Sequence, residues 1–140
     1  MKFLILNILF VFFLTVNFLF AKPDHFTEGV NLFKNKKFEE AQFKFEQDIV
    51  LNPKSELSYL YLSKIFNRLN KKNLEELNLN TVILLNPKNE EAIYNLAKLK
   101  LTTSDYKKSR ELNDRLSAVC IKFCKQNKKL KIEIENLSKK

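Results

Sequence analysis

The sequence predicts an all-α chain: a solenoid of about three helix-turn-helix hairpins with a long C-terminal helix, preceded by an apolar export helix. Three observations carry that prediction. An Asn-Pro-Lys phrase with an apolar lead-in, "VLNPK" ending on Lys54 and then "LLNPK" ending on Lys88, returns so that Pro87 stands one fixed period after Pro53. Between and around these phrases, apolar residues recur at helical spacing in paired stretches, Asp24 to Lys34 and Lys37 to Leu51, then Ser55 to Asn70 and Asn73 to Leu85. The chain is 45% apolar with 13 Phe, so it can bury enough surface to offset the entropy of ordering and to build a packed core. Fixed-period self-similarity is the mark of stacked units that cannot bury their apolar faces singly.

The segment from Met1 to Ala21 reads as an address. Lys2 precedes an apolar run from Phe3 to Phe20, broken only by Asn7, Thr15 and Asn17, and Ala21 offers the small residue a signal peptidase needs. Leu19 is bulky where a second small residue belongs, and the run is nearly long enough to span a bilayer, so a cleaved signal peptide over 1–21 and a retained anchor over 3–20 both fit. Either outcome predicts export across the cytoplasmic membrane, to the periplasm or beyond, because the positive charge ahead of the run favours a cytoplasmic amino terminus. What remains, from Lys22 to Lys140, is the size of one domain.

The hairpins follow, in units of about 22–55, 56–89 and 90–123. Aligning Pro53 with Pro87 sets Gly29 against Ser63, Leu32 against Phe66 and Phe45 against Leu79. Small residues face small, which lets helix axes approach, and large apolar residues face large, which fills the gaps between helices. The first unit carries Gly29, Leu32, Phe38, Ala41, Phe45 and Pro53; the second carries Tyr59, Leu62, Ser63, Phe66, Val82 and Pro87, but has Glu75 in place of the small residue. Because the "KK" pairs at Lys36 and Lys71 recur one position later than the prolines do, the second helix of this unit is expected one residue out of register. The third unit keeps Ile93, Leu96, Ala97, Tyr106, Ser109 and Leu116 but has Ile121 where the proline belongs.

With no proline to stop it, the last helix is expected to run from an N-cap at Ser104 to about Lys125, closing a domain over 22–125. The stretch 126–140 then forms a basic capping tail. From Val119 to Lys140 there are seven lysines against Glu133 and Glu135, so that segment holds +5 of the net +9. Leu130, Ile134 and Leu137 mark a helical stripe there, although Leu130, Ile132 and Ile134 also alternate like a strand; the helix is favoured, because no strand partner stands elsewhere.

These features resemble the tetratricopeptide repeat family, a helix-turn-helix pattern with a period of about 34 residues, closed here by proline, over Pro23 to Phe123. The resemblance implies a concave groove lined by the first helix of each hairpin. It places Phe26, Val30 and Phe33, then Leu60, Tyr61, Lys64 and Arg68, then Tyr94, Asn95 and Lys98 on the inner face. Such a groove, aromatic at one end and basic further along, suits an extended or helical peptide of acidic character, so the implied partner is a protein or peptide. The alternative for Phe26, Val30 and Phe33 is that they pack against their neighbours. The basic and asparagine clamp of chaperone-binding members is not implied, since its positions hold Phe26, Val30, Tyr61, Glu91 and Asn95.

Other function classes have little to rest on. One glycine, Gly29, cannot build a nucleotide-binding loop, and one histidine, His25, gives neither a metal cluster nor a catalytic triad, so no catalytic, cofactor-binding or metal-ligating residues are expected. The basic tail has no arginine and only Phe123 as an aromatic, which argues against nucleic acid and leaves a solvated face or contact with an anionic membrane surface. Cys120 and Cys124, one turn apart on the expected long helix, lack C-x-x-C spacing and read as buried small apolar residues, since a disulfide across an intact turn would be strained.

Overall fold

A computed structural model describes residues 24–138, and the apolar segment expected to form an export helix lies outside them. Among the described residues there are seven α-helices and no strand: α1 (His25–Lys34), α2 (Phe38–Leu51), α3 (Glu56–Arg68), α4 (Lys72–Leu85), α5 (Glu90–Thr102), α6 (Tyr106–Val119) and α7 (Cys124–Leu137). Three antiparallel hairpins, α1/α2, α3/α4 and α5/α6, stack in chain order, and α7 packs against α6 and α5. No described helix is long and apolar enough to cross a membrane.

The small residues are where helices approach most closely. A Cβ on Gly29 would stand 2.8 Å from Cε1 of Phe45, so only glycine lets α1 lie this close to α2. Ala41, Ser63, Ala97 and Ser109 are likewise buried, the Ser109 hydroxyl donating to the Ala97 carbonyl at 2.8 Å. Around them the core divides in two. One half gathers Ala41, Phe45, Leu62, Ile65 and Phe66 between α1, α2 and α3. The other runs from Leu60 and Leu79 through Ile93 and Leu96 to Leu116, Leu130 and Ile134.

Each hairpin turns by the same device. Lys36, Asn70 and Ser104 have φ of 61°, 55° and 63°, and they recur at the repeat interval. In each case the amide of the next residue reaches back to a carbonyl of the preceding helix: Lys37 to Leu32 at 3.0 Å, Lys71 to Phe66 at 2.9 Å and Asp105 to Lys100 at 2.9 Å. This left-handed ending satisfies carbonyls the helix would otherwise leave unpaired. Ser104 is thus the turn residue and not the N-cap expected of it; Asp105 caps α6, accepting from the Lys108 amide at 3.1 Å. The expected slip in the second unit is absent too. Phe38, Lys72 and Tyr106 open the second helices at equal intervals, because the turn geometry fixes the register; the Lys36–Lys37 pair lies wholly before its helix, whereas Lys72 is already the first residue of α4.

The expected continuous helix to Lys125 is replaced by two helices. Cys120 is extended (φ −66°, ψ 135°), and α7 begins at Cys124, one full period after α5 begins at Glu90. The Glu90 carboxylate makes the break: its Oε2 accepts the amides of Ile121, Lys122 and Phe123 at 2.9, 2.9 and 2.8 Å. These are amides of the non-helical turn between α6 and α7, which neither helix can pair, and the carboxylate supplies the acceptor they would otherwise lack. Since the turn is not helical, the objection to a disulfide across it falls away, and Cys120 and Cys124 are bonded. The residues expected to be a tail form α7, a helix as favoured over a strand. It docks through Leu130 and Ile134 and through Asn127, whose Nδ2 donates to the Asn113 carbonyl at 2.6 Å.

Candidate functional site: a groove between the first helices

The groove is built by α1, α3 and α5, with the start of α4 as part of its floor. It encloses about 760 Å³ and is lined chiefly by Phe33, Lys64, Asn67, Arg68, Lys72, Glu75, Glu91, Asn95 and Lys98. Phe33, Lys64, Arg68, Asn95 and Lys98 are thus brought together as the sequence suggests. The others lie elsewhere. Leu60 is 5% exposed and belongs to the core, and Phe26 and Val30 pack into the aromatic cluster of the first hairpin. Tyr94 is half-buried, its ring 5.6 Å from that of Phe123.

At the α1 end the aromatic side chains satisfy one another. The Tyr61 ring stacks on Phe45 with centroids 4.9 Å apart and meets Phe33 and Phe26 edge-on at 5.2 and 6.0 Å. Such contacts add about 0.5–1.5 kcal/mol each beyond area burial. This end of the groove is filled by its own residues.

Toward α5 the chemistry changes. Lys64 is bound to Glu91 at 2.8 Å and lies 5.0 Å from the Tyr61 ring, so its charge is largely answered. Arg68 and Lys98 have no carboxylate partner among the described residues. They rest on the Phe38 and Tyr94 rings, at 5.4 and 5.8 Å, which orients their charges without neutralising them.

Sequence reasoning missed Asn67, Lys72 and Glu75 as groove residues. Glu75 stands at the position of Ala41 and Ser109, is 4% exposed, and accepts from Asn67 Nδ2 at 3.0 Å. Burial holds its carboxyl above the usual range, against the lowering effects of the Asn67 hydrogen bond and the Lys72 charge. The signal was present: Asn67 stands one period from Phe33, so a large apolar residue facing a small one has been exchanged for an amide facing a carboxylate. Among the described residues, no group of three His, Cys, Asp or Glu could hold a metal ion.

The sequence matches no protein-family model and no curated protein. Solved structures do match. The TPR2B domain of yeast Sti1, in its pHsp70 complex, has a TM-score of 0.75 at 14% identity, covering 81% of this chain and 95% of that one. This chain has the tetratricopeptide-repeat fold. The Yersinia enterocolitica type III secretion chaperone SycD, in complex with a peptide of the translocator YopD, gives 0.73 at 14% identity over 83% of this chain and 92% of that one. The first TPR of Spaghetti (RPAP3), bound to the HSP90 peptide SRMEEVD, gives 0.68 at 15% identity over 79% and 90%. Within this tetratricopeptide-repeat scaffold, the open and basic part of the groove lies between the second and third repeats.

Proposed function

We propose that the protein is a non-catalytic interaction module that holds an extended acidic segment of a partner protein in its groove. The observation that carries this reading is the pair Arg68 and Lys98, oriented on aromatic rings and lacking carboxylate partners among the described residues, beside the amides of Asn67 and Asn95. Cations of that kind fit acidic side chains, and side-chain amides fit the backbone of an extended peptide. The solved complexes in which this fold holds a peptide support the class of ligand, and the apolar leader over 1–21 supports export. An exported module of this kind would serve a partner subunit within an envelope assembly complex.

The test is binding of a fluorescent Glu-rich peptide by anisotropy, with the double variant Arg68→Glu, Lys98→Glu as comparison. Loss of two favourable charges and gain of two repulsive ones should weaken capture by about tenfold or more at low salt. Unchanged affinity would remove the groove from consideration.

A further inference from the structure

The C-terminal end of the solenoid presents a second surface, separate from the groove. On α7, Leu130 and Ile134 face the core, and the exposed side carries Lys125, Lys128, Lys129 and Lys131 against Glu133 and Glu135, with Ile132 60% exposed among them, so the face is net positive. Beside it, in the loop between α6 and α7, Lys122 flanks Ile121, the most exposed large apolar side chain among the described residues at 85%. The loop is not free to fold Ile121 back. Three of its amides are taken by Glu90, and the Cys120–Cys124 bond closes it at the base. None of these lysines has an ion-pair partner among the described residues.

From this arrangement we infer that the Ile121 loop and the outer face of α7 dock on an anionic lipid surface, Ile121 and Ile132 entering the acyl boundary while the lysines meet lipid phosphates. Lysines ringing exposed aliphatic side chains are what a bilayer interface selects, the cations answering the surface potential and the apolar groups leaving water. A nucleic acid would ask instead for arginine forks or aromatic stacking, and the outer face of α7 offers neither. Two exposed apolar residues on α2 have a different setting: Phe43 stands near Glu39, Glu40 and Glu46, and Val50 one turn after Glu46.

The chain has no tryptophan, so a single one reports from one place. The full-length Ile121→Trp variant is mixed with phosphatidylglycerol vesicles and, separately, with phosphatidylcholine vesicles, each with and without brominated acyl chains. The local probe matters because the apolar segment over 3–20 could enter any bilayer by itself. Docking predicts blue-shifted emission and bromine quenching with the anionic vesicles alone, weakened about tenfold or more in titration midpoint by added Lys125→Glu and Lys129→Glu. Val50→Trp, exposed on α2, should show neither signal. The inference is overturned by no blue shift at position 121, by equal signals with neutral vesicles or at position 50, or by a response of Ile121→Trp to duplex DNA matching that to anionic vesicles.

Discussion

The two ends of the groove are built from the same repeat positions and carry opposite chemistry. Val30 on α1 becomes Lys64 on α3 and Lys98 on α5, and Phe33 becomes Asn67, each step one period along the chain. Where the row is apolar, neighbouring rings fill it and the surface goes into the fold. Where it is polar, desolvating cations against one another would cost more than packing contributes, so the groove stays open to solvent and to a ligand. A solenoid can therefore divide its length between self-packing and recognition while keeping a single backbone plan.

That division can be broken at the packed end first. Ala41→Glu places an unpaired charge at a fully buried position against α1 and should lower stability by about 3–5 kcal/mol in denaturant titration. Tyr61→Ala removes the ring that joins Phe26, Phe33 and Phe45; a loss of about 2–4 kcal/mol with acidic-peptide affinity nearly unchanged would mark that end as structural. A large loss of affinity in a folded Tyr61→Ala protein would instead extend the binding site to α1.

Smaller effects sharpen the contrast between repeats. Lys36 and Ser104 hold the left-handed turn that Asn70 tolerates better, so Ser104→Gly should stabilise the third hairpin by about 1 kcal/mol in thermal melts. The Glu90 carboxyl is held below its ordinary pKa by the Phe123, Ile121 and Lys122 amides and by the Lys122 charge. A folded value below the unfolded one means stability that is present above the unfolded carboxylate range and lost as pH falls through the lowered value. Melting temperatures of the wild type and of Glu90→Gln should therefore differ at neutral pH and converge only as the pH falls through the lowered value, below the ordinary glutamate range. A gap that persists in acid would assign Glu90 a role other than charge.

Most of the architecture was legible because it is periodic. Gly29, Ala41, Ser63, Ala97 and Ser109 mark close helix approaches by size alone, and the two prolines mark helix ends. What was not legible depended on contacts between residues distant in sequence. The turn after Val119 has its three amides bonded to Glu90, 31 to 33 residues earlier in the chain, and no local pattern announces that. The disulfide followed the same course: it was discounted on an intact helix, and the turn that permits it comes from Glu90. In the groove, burial of Leu60 and pairing of Lys64 with Glu91 depend on how far each hairpin rotates on the next. Arg68, Asn95 and Lys98 could be placed on the groove from sequence because the tetratricopeptide resemblance puts the first helix of each hairpin on the inner face, and all three line the groove.

The central claim is that the α3/α5 end of the groove, and not the aromatic end, takes the ligand. Titrating isotope-labelled protein with the Glu-rich peptide and following backbone and side-chain amide resonances tests it directly. The account predicts shifts concentrated at Asn67, Arg68, Asn95 and Lys98, with Phe26 and Val30 unmoved; shifts confined to α1 or to the outer face of α7 would contradict it.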